Sequence, residues 1–598
     1  MEATSTQNIT TIKPLLSLED KLLARLESLR QSKVKSATLS DETSRAWIAK
    51  NLALIGVPSK LLDCCVEILE YMGDMRLVWL HLQECTGCSE SLLRTEEPGF
   101  DTLIFDIFKL HYHDLILAAS GHNSQKVLES ISQTPYILLV EGSVSMGAQE
   151  QYITLAGKSG YEEAAHLIAH AQAVLAVGTC SSYGGIQSAY PNPTNSFALY
   201  EVFPQEIMHI PGCPPSDKNI IGNLLYVYLL GELPPLDELK RPLWAYAKSV
   251  HDLCERRGAF LAGDFVQSFD DPSMAQGYCL YKVGCKGPYS FNNCPKVKFN
   301  AKTSWPVQAG HGCIGCSEPN FWDNFGLIEK PISNESIKGF VPKFPPRLEP
   351  RITEIAYRDE SALLEEVRIN GGVLLDLDSS VVSCAVQKVD SSVSLESTES
   401  LEPVLMRYEL AAMEANPALM LSTLESKGKQ GSRLAQNYKT YLESSFARVC
   451  ALPSTSHSTN DMLAWLGGCY GLLEGLESLE DLAQAGAELL ARAEQFAYPH
   501  ISPLGFKCKE SSEMITLDSS KALNNMLAYR IGGLDSYGVC FSIASDLGSA
   551  FADLLLKWQI QGSIYVCGKM TTSKPFMRAL AKPLHTKHTI IIAQIQDA

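Results

Sequence analysis

The sequence predicts an α/β protein: a flavodoxin-like, doubly wound parallel sheet, then a stretch with little regular pattern, then an extra α+β region. Three observations predict it. Short apolar runs that end in Gly, Cys or Pro recur at 77–82, 102–106, 136–141, 173–177 and 207–210, and each reads as a buried parallel strand. Helix-period segments lie between them, at 161–173 and at 220–230, the latter following Pro214 and Pro215. A Pro-rich passage at 339–350 then separates this half of the chain from the second.

Taken in order, residues 1–75 form a helical leader, with Ser17 as N-cap and Leu22, Leu23, Leu26 and Leu29 on one helical face. Cys64 and Cys65 fall in its second apolar helix. Adjacent side chains leave a helix on different sides, so these two read as core thiols rather than ligands. Residues 76–235 are the sheet domain and 236–335 the irregular one, with a C-terminal region over 350–598. In that last region 371–386 reads as strand, Asp/Ser turn, strand, and 563–570 as a strand ahead of a final helix. The Ser/Glu run at 390–402 is a loop.

Composition narrows the function. A chain of 598 residues is long enough for several domains, and 45% hydrophobic with 20% charged side chains supports more than one core. The net charge of −17, with no basic patch, argues against a nucleic-acid or membrane-surface binder. No run approaches the ~20 uninterrupted apolar residues of a membrane span. The first forty residues carry no export signal, so the expectation is a soluble, cytoplasmic protein with no transmembrane segment of its own. In that reducing compartment 18 cysteines are too many for disulfides and point to metal or redox chemistry.

Ten of the cysteines lie between residues 85 and 316. Strand carboxyl ends of an open parallel sheet border a ligand crevice, and three of those loops carry cysteine: Cys85-Thr-Gly-Cys88 after the first strand, Gly178-Thr-Cys180 after the fourth, and Pro211-Gly-Cys213-Pro-Pro after the fifth. Four thiols converge there. That is the set a [4Fe–4S] cluster takes, with a zinc Cys₄ site as the alternative. A second set, His251, Cys254, Cys279 and Cys285, offers one imidazole and three thiolates. The third is Cys294, Cys313 and Cys316; three thiolates without a fourth suit [3Fe–4S].

These residues closely resemble the small, electron-transfer subunit of nickel–iron hydrogenases. The matching text includes Cys85-Thr-Gly-Cys-Ser-Glu90, Val140-Glu-Gly142, Val177-Gly-Thr-Cys-Ser181, Pro191-Asn-Pro193, Ile210-Pro-Gly-Cys-Pro-Pro215 and Arg256-Arg-Gly258. It continues through Gly284-Cys-Lys-Gly-Pro288, Asn293-Cys-Pro295, Trp305-Pro306 and His311-Gly-Cys-Ile-Gly-Cys-Ser-Glu-Pro319, in unbroken order over about residues 76–330. The resemblance implies a proximal [4Fe–4S] on Cys85, Cys88, Cys180 and Cys213. It further implies a distal [4Fe–4S] on His251, Cys254, Cys279 and Cys285 and a medial [3Fe–4S] on Cys294, Cys313 and Cys316. By the same resemblance the chain is an oxidoreductase subunit that passes electrons between a nickel–iron site and an acceptor. That site lies in a separate large subunit, because family large subunits hold it with two CxxC pairs and every CxxC here is assigned to a cluster. Gly87 stands where oxygen-tolerant members add a cysteine, which implies a standard proximal cluster. Glu84 and Glu141 are acids near that cluster, suited to hydrogen bonding or proton relay.

Exported members of the family carry a twin-arginine leader and often a C-terminal membrane helix, and neither is expected here. The leader and the C-terminal region resemble instead the small-subunit-like accessory protein of epsilonproteobacterial hydrogenase operons. An assembly or maturation factor that docks rather than turns over is therefore the alternative function. Residues 371–386 and 563–570 resemble the phosphate-turn hairpin and late strand–helix of actin-like ATPases, without most of the glycines. Asp376 and Asp378 are thus weighed as hairpin caps against ATP ligands. Cys384, Cys450, Cys469, Cys508, Cys540 and Cys567 share no short spacing and read as core thiols, and His585 with His588 as a solvated basic turn rather than a metal pair.

Overall fold

A computed structural model describes residues 17–595 except 40, 156, 326–327, 335–349, 387–403, 413–416, 427, 442–458, 471, 473–478, 497, 499–500, 512–513, 559 and 561. The Pro-rich passage up to residue 349, the 390–402 loop and Cys450 lie outside the described residues. The leader holds α1 (Leu18–Ser32), α2 (Glu42–Leu54) and α3 (Leu62–Met72). Helix α1 starts where it does because Ser17 Oγ accepts from the Asp20 amide at 3.1 Å while the Asp20 carboxylate accepts from the Ser17 amide at 3.2 Å. Leu22, Leu26 and Leu29 are buried beneath it. Leu23, expected on that face, is half exposed: one residue on from Leu22 it is turned about 100° around the axis.

The sheet is formed by β1 (Arg76–His81), β2 (Lys109–His113), β3 (Tyr136–Glu141), β4 (Ala173–Val177) and β5 (Ile207–Ile210), all parallel, in the order β2-β1-β3-β4-β5. That is the flavodoxin-like order, with its switch point between β1 and β3. Alternation assigns the faces. Trp79, Leu139, Leu175 and Met208 pack toward α1–α3 and α8 (Asp217–Leu230), whereas Val78, Leu138 and Val174 pack toward α5 (His122–Ile131) and α6 (Gly160–His170).

One expected strand is corrected. Residues 102–106 are helical, the helix Phe100–Thr102 running into a wide turn at Leu103–Ile107, and the edge strand is β2. Leu103 and Ile107, four apart, are both buried while Phe105 is 74% exposed, which is helical and not alternating burial. A short apolar run gives no period by which to tell these apart. The polar alternation of Lys109-Leu-His-Tyr-His113 concealed the strand.

The C-terminal region is a second, mixed sheet of β6 (Ile352–Tyr357), β7 (Val373–Asp376), β8 (Val381–Val386), β9 (Val404–Ala412), β10 (Lys507–Glu510), β11 (Met514–Asp518), β12 (Ile564–Cys567) and β13 (Ile590–Ile595), in the order β6-β13-β12-β7-β8-β9-β11-β10. The expected strand–turn–strand is the antiparallel β7–β8 pair, and the late strand is β12, parallel to β7. Helices α14 (Ser520–Gly532), α15 (Ser536–Lys557) and α16 (Lys574–Ala581) pack against this sheet. Among the described residues α15 is the one helix long and apolar enough to cross a membrane by length and composition. It lies mostly buried in the C-terminal core, where its Asp546 accepts from the Gly505 and Phe506 amides at 2.5 and 2.9 Å.

Candidate metal centres

The CxxC after β1 opens α4 (Gly87–Leu93), and Gly178 and Cys180 open α7 (Gly178–Tyr183) directly after β4. Tight approach explains the glycines. A Cβ on Gly178, at φ +87°, would sit 2.5 Å from the Cys88 sulfur, and one on Gly185 would crowd the Cys180 sulfur. Burial pushes the Cys88 thiol well up, and Glu141 and the Cys180, Cys213 and Cys85 thiols push it further. Burial likewise raises Cys180 to about 11 and Cys213 to about 12, although part of Cys213 and of Cys85 reaches the surface. Thiolates gathered this closely repel one another, and a positively charged metal centre would relieve that repulsion when it takes them as ligands.

The other sets adjoin in a row. The loops holding Cys213 and Cys316 interlock: the Thr179 hydroxyl accepts from the Gly212 amide at 2.9 Å and donates to the Cys316 carbonyl. After burial, the Cys316 thiol is the next influence raising both Cys213 and Cys294. Further along, the Cys313 amide donates to the Cys285 sulfur at 3.3 Å and the Lys286 amide to the Cys313 carbonyl at 2.6 Å. His251, Cys254, Cys279 and Cys285 line one small cavity. Burial and then Arg257, whose Nη1 abuts His251 Nε2, hold that imidazole neutral, the form that can ligate. Lys286 lies by Cys285 and Cys313; burial lowers its ammonium to about 8 against their pull.

Zinc and a multi-iron cluster ask for different ligand spacings. Four thiolates around one zinc ion, at ~2.3 Å each, would lie about 3.8 Å from one another. Among the described residues, no three of these ligands bring their donor atoms within 4.8 Å of one another, so the sets suit a multi-iron cluster rather than a single ion.

The group that does meet that limit is His81, His113 and Asp114. It belongs to a network of which the sequence revealed only Glu141. Glu141 accepts from Trp79 Nε1 (3.1 Å), the Cys88 and Ser89 amides (2.9 and 3.1 Å) and Ser89 Oγ (2.7 Å), so it braces the CxxC turn from below. Ser89 Oγ also meets His81 Nε2 (2.9 Å) and His113 Nε2 (3.1 Å), and His81 Nδ1 pairs with Asp114. Burial would lower His81, but hydrogen bonds to Asp114 and Glu141 outweigh it and raise it to about 9. Burial and the charge on His81 lower His113 to about 4. With His81 protonated between Asp114 and Glu141, the cluster forms an internal charge network. Burial would raise Glu141, but His81 and Ser89 keep it below its ordinary value; burial raises Glu84.

The C-terminal region covers the His251 set. The Tyr529 ring on α14 lies 5.5 Å from the His251 ring, and Arg257 Nη2 donates to Asn525 Oδ1 at 2.7 Å. Ser502 Oγ bonds Ser249 Oγ (2.6 Å), and the Ser502 amide donates to the Pro288 carbonyl (2.7 Å). Phe260, Phe265, Tyr281 and Tyr289 share one core with Phe496, Tyr498 and Tyr529. Buried Glu318, two residues after Cys316, accepts from Arg241 (2.9 Å), the Phe291 amide (2.6 Å) and the Tyr498 hydroxyl (3.1 Å). No local pattern announces such long-range contacts. Asp376 accepts from the Asp378 and Ser379 amides and so caps its hairpin turn, whereas Asp378 accepts from the Asn460 side chain and the Lys569 amide, both distant in sequence. His585 and His588 bond different carbonyls, of Lys582 and Gly562. Cys65, Cys540 and Cys567 are buried, and Cys64, Cys384 and Cys508 are partly so.

A doubly wound sheet with three cysteine-rich ligand sets strung beyond its strand ends is the build of an iron–sulfur redox protein. Residues 246–329 match the family of the C-terminal part of the NiFe/NiFeSe hydrogenase small subunit, and 85–227 match NADH ubiquinone oxidoreductase, 20 Kd subunit. The chain is 51% identical over 294 residues to the quinone-reactive Ni/Fe-hydrogenase small chain of Wolinella succinogenes, covering 48% of this chain and 83% of that one. It is 43% identical over 252 residues to the periplasmic [NiFe] hydrogenase small subunit 1 of Nitratidesulfovibrio vulgaris, covering 41% and 79%. A solved nickel–iron–selenium hydrogenase from Desulfomicrobium baculatum is 29% identical with a TM-score of 0.40, covering 43% of this chain and 99% of that one. The chain belongs to the nickel–iron hydrogenase small-subunit family, an iron–sulfur oxidoreductase family.

Proposed function

We propose that this chain is the electron-transfer subunit of a nickel–iron hydrogenase, pairing with a large subunit that holds the nickel–iron site. In this reading Cys85, Cys88, Cys180 and Cys213 hold one [4Fe–4S] cluster, His251, Cys254, Cys279 and Cys285 a second, and Cys294, Cys313 and Cys316 a [3Fe–4S] cluster. The observation that carries it is the adjacency of the sets, Cys213 to Cys316 and Cys313 to Cys285. Such clusters supply one-electron transfer when bound. The chain's own residues do the rest. Glu141 fixes the Cys88 and Ser89 amides, the glycines let backbone approach the sulfurs, and the C-terminal core keeps water from His251.

Anaerobically purified chain should hold about 11 irons, four for each four-ligand set and three for the third, with matching sulfide. Zinc without sulfide would sink the reading. A second reading, an assembly factor that docks, draws on the C-terminal cover over His251. Deleting the gene decides between them: loss of nickel and of processing from a large subunit whose active enzyme contains a different small subunit would favour the assembly factor.

A further inference from the structure

At the end of the parallel sheet opposite the ligand sets, the amino ends of β3 and β4 meet α1, the end of α3, the end of α8 and residues 231–240 around a cavity of about 700 Å³. Volumes of about 300–1,000 Å³ are those of small-molecule sites. Its walls carry Met72, Met75, Ile137, Val227, Leu233 and Leu236. Into it faces a cation without a counterion among the described residues. Arg25 is half-buried on α1, its Nε is enclosed with no hydrogen-bond partner among those residues, and its Nη2 reaches only the Met72 sulfur, a weak acceptor, at 3.7 Å. Gly231, at φ +68°, makes room for this guanidinium: a Cβ there would lie 3.2 Å from Arg25 Cζ. Burial without an anion lowers its pKa.

The charges lining the cavity do not cancel. Lys21 pairs with Glu232 at 2.5 Å, and Asp237 is taken by Arg241 at 2.7 Å. Lys240, held at φ +62°, has no ion pair among the described residues, and the remaining acid, Glu206, is exposed. Arg25 and Lys240 against Glu206 leave one positive charge over an apolar floor. Burying a guanidinium nitrogen unpaired is costly, and an anion that reaches it recovers that cost. We propose that this cavity binds a small organic anion, its acid group on Arg25 with Lys240 as second cation and its apolar body against Met72, Met75 and Ile137.

The test is calorimetric titration of the full chain, in its purified complex, with octanoate and separately with inorganic phosphate. One octanoate per chain should bind, phosphate at least about tenfold more weakly, and Arg25→Gln should weaken octanoate about tenfold or more, the loss of one charge-assisted hydrogen bond. Lys240→Met, on the 231–240 segment and outside the packing of α1, should also weaken it, and serves if Arg25→Gln does not fold. Unchanged octanoate affinity in these variants, or no octanoate binding in the parent chain, overturns the site. Phosphate bound as tightly as octanoate overturns the assignment of an apolar body.

Discussion

His81 and His113 share one hydroxyl, Ser89 Oγ, yet hold opposite charge states, and this sets how the chain responds to pH. His81 is raised to about 9 from an ordinary 6.5, so the folded chain keeps a proton that the unfolded chain releases. Its contribution to stability is complete below about pH 6.5 and is lost as pH rises through about 9, in all about 3 kcal/mol. His113, lowered to about 4, works in the other direction: its contribution is complete above about 6.5 and is lost as pH falls through about 4. Melting temperature should therefore fall from near-neutral pH toward pH 9, and His81→Gln should flatten that limb. An unaltered alkaline limb in the variant would show that His81 is not the group responsible. Gly178 tests the same turn from above. Gly178→Ala puts a methyl into the Cys88 sulfur at a left-handed φ, and metal analysis should find about four irons lost while the Cys294 and His251 sets stay filled.

At the level of elements, α14 and the helix Lys429–Tyr441 both bind the C-terminal region to the ligand-bearing half, the latter through Arg433 to Asp264 and Asn437 to the Ala262 carbonyl. Asn525, fully buried on α14, donates to the Leu504 carbonyl at 2.6 Å and accepts from Arg257 at 2.7 Å. Asn525→Ala removes both bonds, leaving the Leu504 carbonyl unpaired and Arg257 Nη2 with its longer pairing to Asp252, and should cost about 2–3 kcal/mol in urea unfolding. A loss under about 1 kcal/mol would mean that water replaces both bonds. Elements also divide what was legible in the sequence from what was not. β1, β3, β4 and β5 were legible because a strand covered on both faces is a continuous apolar run, and the Ser17 cap because its signal is three residues long. β2 was not, since an edge strand beginning Lys109 and carrying His111 and His113 has no apolar run to show. The candidate ligand loops were legible from cysteine spacing, and the structure sets the first two at the carboxyl ends of β1 and β4. His113, Ser502, Asn525 and Tyr529 were not, because each acts on a partner far away in sequence and nothing local marks it.

For the whole molecule, the shared core ties two chemically unlike halves together. Phe260, Phe265, Tyr281 and Tyr289 lose their cover if the C-terminal region departs, and Tyr498, Tyr529 and Phe496 lose theirs. Ion pairs fasten a second place, Arg578 on α16 and Lys582 just past its end to Glu238 at 3.7 and 3.1 Å, though exposed pairs add little. Residues 246–325 and the C-terminal sheet should therefore unfold in one calorimetric transition, and their amides should lose hydrogen-exchange protection together. Two resolved transitions would show the halves to be independent.

The cover over His251 also has a consequence in time. Asn525 follows Cys285 by about 240 residues, so at about 5–20 residues per second a ribosome needs roughly 10–50 s to make the lid after the last ligand of that set has emerged. During this interval His251 and Cys279 lack their C-terminal cover, and in the proposed reading that is when the set is open to iron. Once α14 has closed, His251 lies behind Tyr529 and Cys279 within the shared core, so in the proposed reading a chain that missed its iron would have to reopen that core to complete the set.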